Sequence, residues 1–201
     1  MLIDRARLLV VAATARELAP ADGWLTLECG VGPVEAAVRT AAAIAELRPS
    51  AVLHVGIAGA RASAGLMPAS LVIGLDARYA DLGVGPEWAP GIVPANDTFL
   101  AAATRALPIA RVMSIGTSGT IGGTMGGAID GTDTRFGNCL VEAMEGFAVL
   151  RAAQIAGIPA IEVRAISNEI EEPDRARWHF SAAFAAITAA TPVLVDALCA
   201  R

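Results

Sequence analysis

Between residues 24 and 55 the chain runs through strand, turn, helix and strand in close succession, an order that few architectures accept. Residues 24–29 read as a buried strand, and Gly30-Val31-Gly32-Pro33 as a sharp turn in which Pro33 suits the first helical position. Helix is predicted over 34–47, where Pro49 stops it, and 51–55 supplies the next strand. An earlier buried strand over 8–13 leads into a turn that carries Arg16 and Glu17.

The alternation continues along the chain. Strands are predicted over 70–75, 109–115, 139–141 and 160–166, and a helix capped by Asp97 runs to Ala106. Residues 141–146 read as a helical stretch that enters a helix over 146–156, and a final helix is predicted over 174–199. Residues 56–65 read as a flexible loop, 83–94 as a long surface connection of the kind that is often functional, and 116–123 as a loop or short strand of small residues. Strands alternating with helices favour one layered α/β domain around a mostly parallel or mixed sheet, and no internal repeat or linker is visible. The mean hydropathy of +0.56, drawn mainly from Ala, Val, Ile and Leu with only 4 % aromatics, agrees with a buried sheet and excludes a disordered chain.

Charge narrows the chemistry. All 15 cationic side chains are Arg, so neither a Schiff-base lysine nor the lysine of a phosphate-binding P-loop exists. A net charge of −5 and the lack of any basic run argue against a nucleic-acid partner and leave small molecules. Cys29, Cys139 and Cys199 are odd in number, widely spaced and joined only by His54 and His179, so no metal is expected and the thiols suit a reducing cytoplasm. The apolar start is too short, and follows Asp4 too closely, for a signal peptide; residues 181–200 carry Thr188, Thr191, Pro192 and Asp196, so no membrane span is expected.

Two glycine-rich stretches fail as cofactor sites. Gly56-Ile57-Ala58-Gly59 follows a strand, with Asp76 at a suitable distance, but it lacks the spacing and the following helix of a dinucleotide fingerprint. Residues 116–127 lack the P-loop lysine. No cofactor is expected.

Carboxylates and an amide remain as candidates. Glu17 lies in the turn after the first strand, at the carboxyl edge of the sheet where α/β ligand sites gather. Glu145 falls within Met144-Glu145-Gly146, and Asn168 at the end of the strand over 160–166. With Ala12-Ala13-Thr14-Ala15-Arg16-Glu17, Gly30-Val31-Gly32-Pro33, Val55-Gly56-Ile57-Ala58-Gly59, Thr117 to Gly123, Ser167-Asn168 and the tail Glu172-Pro173-Asp174-Arg175-Ala176-Arg177-Trp178, they form an ordered set spanning nearly the whole chain. That set resembles the purine nucleoside phosphorylase and nucleosidase superfamily, and within it the futalosine hydrolases more closely than the methylthioadenosine/adenosylhomocysteine nucleosidases.

The resemblance implies a single domain over 1–201, a three-layer α/β sandwich with a central mixed twisted sheet, and a homo-oligomer, most simply a dimer. It also implies hydrolysis of the N-glycosidic bond of futalosine, with release of hypoxanthine, in the futalosine route to menaquinone. Glu17 then matches the base that activates water, Glu145 the carboxylate on the ribose hydroxyls, Met144 the residue beside the ribose, and Asn168 the residue at the purine. Thr120 and Ile121 match the lining of the base pocket, Ile57 and Gly59 belong to the substrate-binding loop, and Arg177 and Trp178 are assigned to the 5′ aryl carboxylate. Ile57 stands where the methylthioadenosine nucleosidases carry Ser. The lead-in His54-Val55 lacks the Arg with which phosphorolytic relatives hold phosphate, and an anionic Glu17 favours water over phosphate. An amide at 168 suits a 6-oxo purine, whereas a carboxylate there would suit a 6-amino purine.

Overall fold

Strand β1 (Leu8–Ala12) is buried at every position, as a strand covered on both faces must be. In the computed structural model, which describes residues 3–120 and 139–199, β1 pairs in parallel with β2 (Leu25–Glu28) and β3 (Ala51–Ala60). Helix α1 (Pro33–Leu47) makes the crossover between β2 and β3, with Pro33 in its first turn. Arg48 ends it in a left-handed conformation, with its N–H bonded back to the Ile44 carbonyl.

The other strands are β4 (Leu71–Tyr79), β5 (Ile92–Pro94), β6 (Arg111–Thr117), β7 (Val141–Ala143) and β8 (Ala160–Glu169). β8 runs parallel to β3 and antiparallel to β4; β6 runs parallel to β4 and β7; β7 returns antiparallel to β3. These pairings close five strands into a ring at one end of a mixed eight-stranded sheet, with β2 and β5 at its two edges. The ring draws the ends of β3, β7 and β8 together.

Helices α1 and α3 (Gly146–Ile155) cover one face, with Leu150 of α3 clustered with Leu9, Val11 and Val52 of the sheet. Helices α2 (Asp97–Ala106) and α4 (Phe180–Leu198) cover the other, with Phe99, Ile187 and Leu194 of the helices clustered with Leu8, Val10 and Leu53 of the sheet. The odd and even residues of β1 thus feed different cores, as the two-residue period of a strand requires, and each such side chain contributes about 1.5–3 kcal/mol. By length and composition alone α4 is long and apolar enough to cross a membrane, a test that core helices of this kind also pass. It serves as a core helix, burying Ala183, Ile187, Leu194 and Leu198.

Four local expectations are corrected. Residues 141–143 form β7 rather than helix, because pairing with β3 and β6 on both sides outweighs the helix propensity of Glu142 and Ala143; α3 begins only at Gly146. Residues 56–60 continue β3 instead of looping away, since neighbouring strands satisfy their backbone. β8 likewise continues through Asn168 to Glu169. The last helix starts at Phe180, because Asp174 caps a separate short turn, Arg175–Arg177, by accepting from Ala176 N–H.

Candidate active site

Where the ring gathers the strand ends, a cavity of about 240 Å³ opens, and its wall includes Glu17, Met144, Glu145, Asn168, Trp178 and Thr120. Ile57 and Gly59 line it as well. Arg177 does not: its side chain is 72 % exposed and ion-paired with Glu172 at 2.9 Å, whereas Arg175 of the same turn does line the cavity. Of the two residues assigned to the 5′ aryl carboxylate, Trp178 thus lies on the cavity wall and Arg177 does not. Ile121 lies outside the described residues.

Glu17 is held from two sides. The Thr14 N–H and hydroxyl donate to Oε2 at 2.9 and 2.8 Å, and the Ile57 N–H donates to Oε1 at 3.1 Å. The contact made by residue 57 is therefore a backbone one, indifferent to the loss of a serine hydroxyl. Burial raises the Glu17 carboxyl above its ordinary range, against the opposing pull of Arg164 and of the hydrogen bonds from Thr14 and Ile57. A carboxyl so placed can take a proton from water.

Glu145 precedes α3 as its N-terminal flanking residue, and its Oε1 accepts the Gly32 N–H at 3.1 Å. The Gly30–Gly32 turn before α1 thus orients a carboxylate more than a hundred residues away in sequence. Gly32 has φ +92°, a conformation that L side chains rarely adopt, which explains the glycine at that position.

The sequence reading assigned no role to the group that joins these carboxylates. Arg164 is 1 % exposed and donates from Nε to Glu162 at 2.7 Å and from Nη2 to Glu145 at 3.4 Å. Nη2 also donates to His54 Nε2 at 2.5 Å, and Nη1 donates to the Ile57 carbonyl at 3.3 Å. His54 in turn donates from Nδ1 to the Val11 carbonyl at 3.0 Å, so it is a neutral imidazole; burial and the Arg164 charge hold it well below the usual imidazole range. Burial raises Glu162, with Arg164 opposing. The signal was present in the sequence: Glu162 and Arg164 alternate with apolar residues in a strand read as buried, and buried charges come in pairs.

Asn168 reaches the cavity through a register shift. β3 and β8 pair Ala58 with Ile166 but Gly59 with Asn168, leaving Ser167 as an extra residue that re-aims the strand end. The Ser167 hydroxyl lies 2.7 Å from Asn168 Oδ1, and Nδ2 donates to the Glu169 carbonyl at 2.9 Å. One N–H of the amide and one oxygen lone pair are left for a ligand.

Comparison with known proteins identifies the family. A model described as the phosphorylase superfamily matches residues 24–199. The chain belongs to the phosphorylase superfamily. Within that superfamily it belongs with the futalosine hydrolases. That of Streptomyces coelicolor is 36 % identical over 192 residues, spanning 88 % of this chain and 80 % of its own. That of Acidothermus cellulolyticus is 32 % identical over 204 residues, spanning 94 % and 80 %. Among solved structures, the futalosine hydrolase of Helicobacter pylori superimposes with a TM-score of 0.80 at 16 % identity, over 94 % of this chain and 97 % of that one. The S-adenosylhomocysteine nucleosidase of Streptococcus pyogenes, in complex with 5-methylthiotubericidin, gives 0.79 at 23 % identity over 95 % of each chain. At these identities the two structures share the superfamily fold, the mixed-sheet α/β sandwich.

Proposed function

We propose that this protein hydrolyses the N-glycosidic bond of futalosine, releasing hypoxanthine and leaving dehypoxanthine futalosine, within the futalosine route to menaquinone. The observation that carries the reading is the buried Glu17, held by Thr14 and Ile57 in the same cavity as Glu145. The curated futalosine hydrolases at 36 % and 32 % identity supply the substrate.

In this reading Glu17 accepts a proton from water as the water oxygen bonds to the anomeric carbon. The bond to the purine N9 breaks, its electron pair leaves with the base, and the base takes up a proton from solvent at N7, balanced by the proton that Glu17 later returns to solvent. Positive charge grows on the ribose and negative charge on the purine, so carboxylates belong at the sugar and an amide N–H at the base. Glu145 takes the ribose hydroxyls, Met144 packs beside the ribose, and Thr120 lines the base pocket. Water is favoured over phosphate because the buried Arg164 is already committed to Glu162, Glu145, His54 and the Ile57 carbonyl.

The same reading takes residues 1–201 as one nucleosidase domain, acting in the cytoplasm as a homodimer. Three free thiols suit a reducing compartment, and Val31, Val34 and Val38, all more than half exposed beside or on α1, suit an interface between copies. Sedimentation at micromolar concentration tests the dimer; a monomer there removes it. The activity is tested by incubation with futalosine, inosine and methylthioadenosine, with and without phosphate, reading free base by chromatography. Release of hypoxanthine from futalosine without phosphate is expected, and strict phosphate dependence would overturn the reading.

A further inference from the structure

Along one wall of the cavity, three aromatic rings form a continuous band with a guanidinium at each end. The Trp178 and Phe180 centroids are 5.5 Å apart, and those of Phe180 and Phe184 6.2 Å. Arg175 lies over the Trp178 ring at 5.6 Å and Arg16 over the Phe184 ring at 5.0 Å.

The local fold fixes this band. Phe180 and Phe184 stand four residues apart at the start of α4 and so share one helix face. The Trp178 indole N–H donates to the Glu172 carbonyl at 3.0 Å, which sets the plane of the ring. The His179 N–H donates to the Ser167 carbonyl at 2.7 Å, tying the segment to the end of β8 beside Asn168.

Neither guanidinium on the band, Arg175 or Arg16, pairs with a carboxylate among the described residues, and of the two only Arg175 lines the cavity. Arg177 points away and is paired with Glu172. Flat apolar rings accept an aryl group, and a stacked, unpaired guanidinium at the end of the rings accepts a carboxylate through its planar donors. A neutral alkyl substituent would use neither feature fully.

We propose that Trp178, Phe180 and Phe184 hold an aryl group attached at the 5′ end of the nucleoside, and that Arg175 is the specificity-determining cation for a carboxylate on that ring. The proposal rests on the nucleoside orientation given above, with ribose at Glu145 and base at Asn168. It does not depend on which purine leaves.

The test compares futalosine with its carboxamide, in which the aryl carboxylate is made neutral, on wild type, Arg175→Gln, Arg175→Lys and Arg177→Gln. Wild type should favour the carboxylate by about tenfold in kcat/KM. The ratio should fall to near one in Arg175→Gln, recover in part in Arg175→Lys, and stay at the wild-type value in Arg177→Gln. A ratio is insensitive to how much of a variant folds. An undiminished ratio in Arg175→Gln, a collapse in Arg177→Gln instead, or a wild type indifferent to the carboxylate would each overturn the assignment. If wild type cleaves inosine but neither aryl substrate, the proposed reaction fails by itself. The subsite is then judged by calorimetric binding of futalosine and its carboxamide, with the same ratios expected and the same outcomes overturning it.

Discussion

Gly56 lies directly beneath the Arg164 guanidinium: a Cβ on Gly56 would overlap Nη1 and stand 3.0 Å from Glu17 Oε1. The backbone of residue 57 bonds both groups, so one position on β3 spaces the cation from the carboxylate. Gly56 is therefore set by space rather than by backbone conformation.

Gly56→Ala should push Arg164 off its four partners. Overpacking of this kind costs about 1–3 kcal/mol. Thermal denaturation should report the loss and kcat should fall with it; an unchanged Tm with full activity would show that Arg164 can move freely, against the packing described.

Glu17→Gln should slow turnover by roughly 10²-fold or more. The sequence places Glu17 in a turn, and in the fold its two oxygens accept three hydrogen bonds. A glutamine must turn its NH₂ toward one of those donors, so a stability loss of about 1–3 kcal/mol should accompany the loss of rate. Wild-type turnover in this variant would remove Glu17 as the base.

The pH profile of kcat/KM follows from the burial of Glu17. Its carboxyl is raised above 4.5, and only the ionised form accepts a proton, so activity should decline as pH falls through a value above the ordinary carboxylate range. An acid limb at or below 4.5 would argue for another base.

Glu145→Gln should weaken the hold on the ribose. A substrate lacking the 2′-hydroxyl should be poor for wild type and lose less on this substitution, because the partner of the contact is already gone. Equal losses on the two substrates would make Glu145 structural, an anchor for Gly32 and Arg164 alone.

Asn168→Asp should shift the kcat/KM ratio from futalosine toward its 6-amino counterpart. An ionised carboxylate would face the purine O6 with lone pairs and would lose the donor now bonded to the Glu169 carbonyl, an unpaired-group cost of about 1–3 kcal/mol. Equal loss on both substrates would mean that residue 168 does not read the 6-position.

Order and spacing in the chain sufficed for the layered α/β fold, because apolar strand runs alternate with helical stretches, of which α1 is bracketed by Pro33 and Pro49. Resemblance to the family, not spacing by itself, named Glu17, Met144, Glu145 and Asn168 as a set, and all four line one cavity. Three things were decided only in space. β3 and β8 run on through Gly56–Ala60 and Ser167–Glu169 because neighbouring strands satisfy their backbones, a condition invisible in a Gly-rich or polar stretch. Glu162, Arg164 and His54 became one buried cluster only when the parallel register set His54 beside Glu162 and Gly56 beside Arg164. And the choice of Arg175 over Arg177, two residues apart with the same side chain, fell to a short turn that directs one guanidinium to the cavity wall and leaves the other with Glu172. Local sequence fixes where a chain can bend and what it can bury; which charges meet depends on strand register and on which way a turn faces, and these are set by contacts distant in sequence.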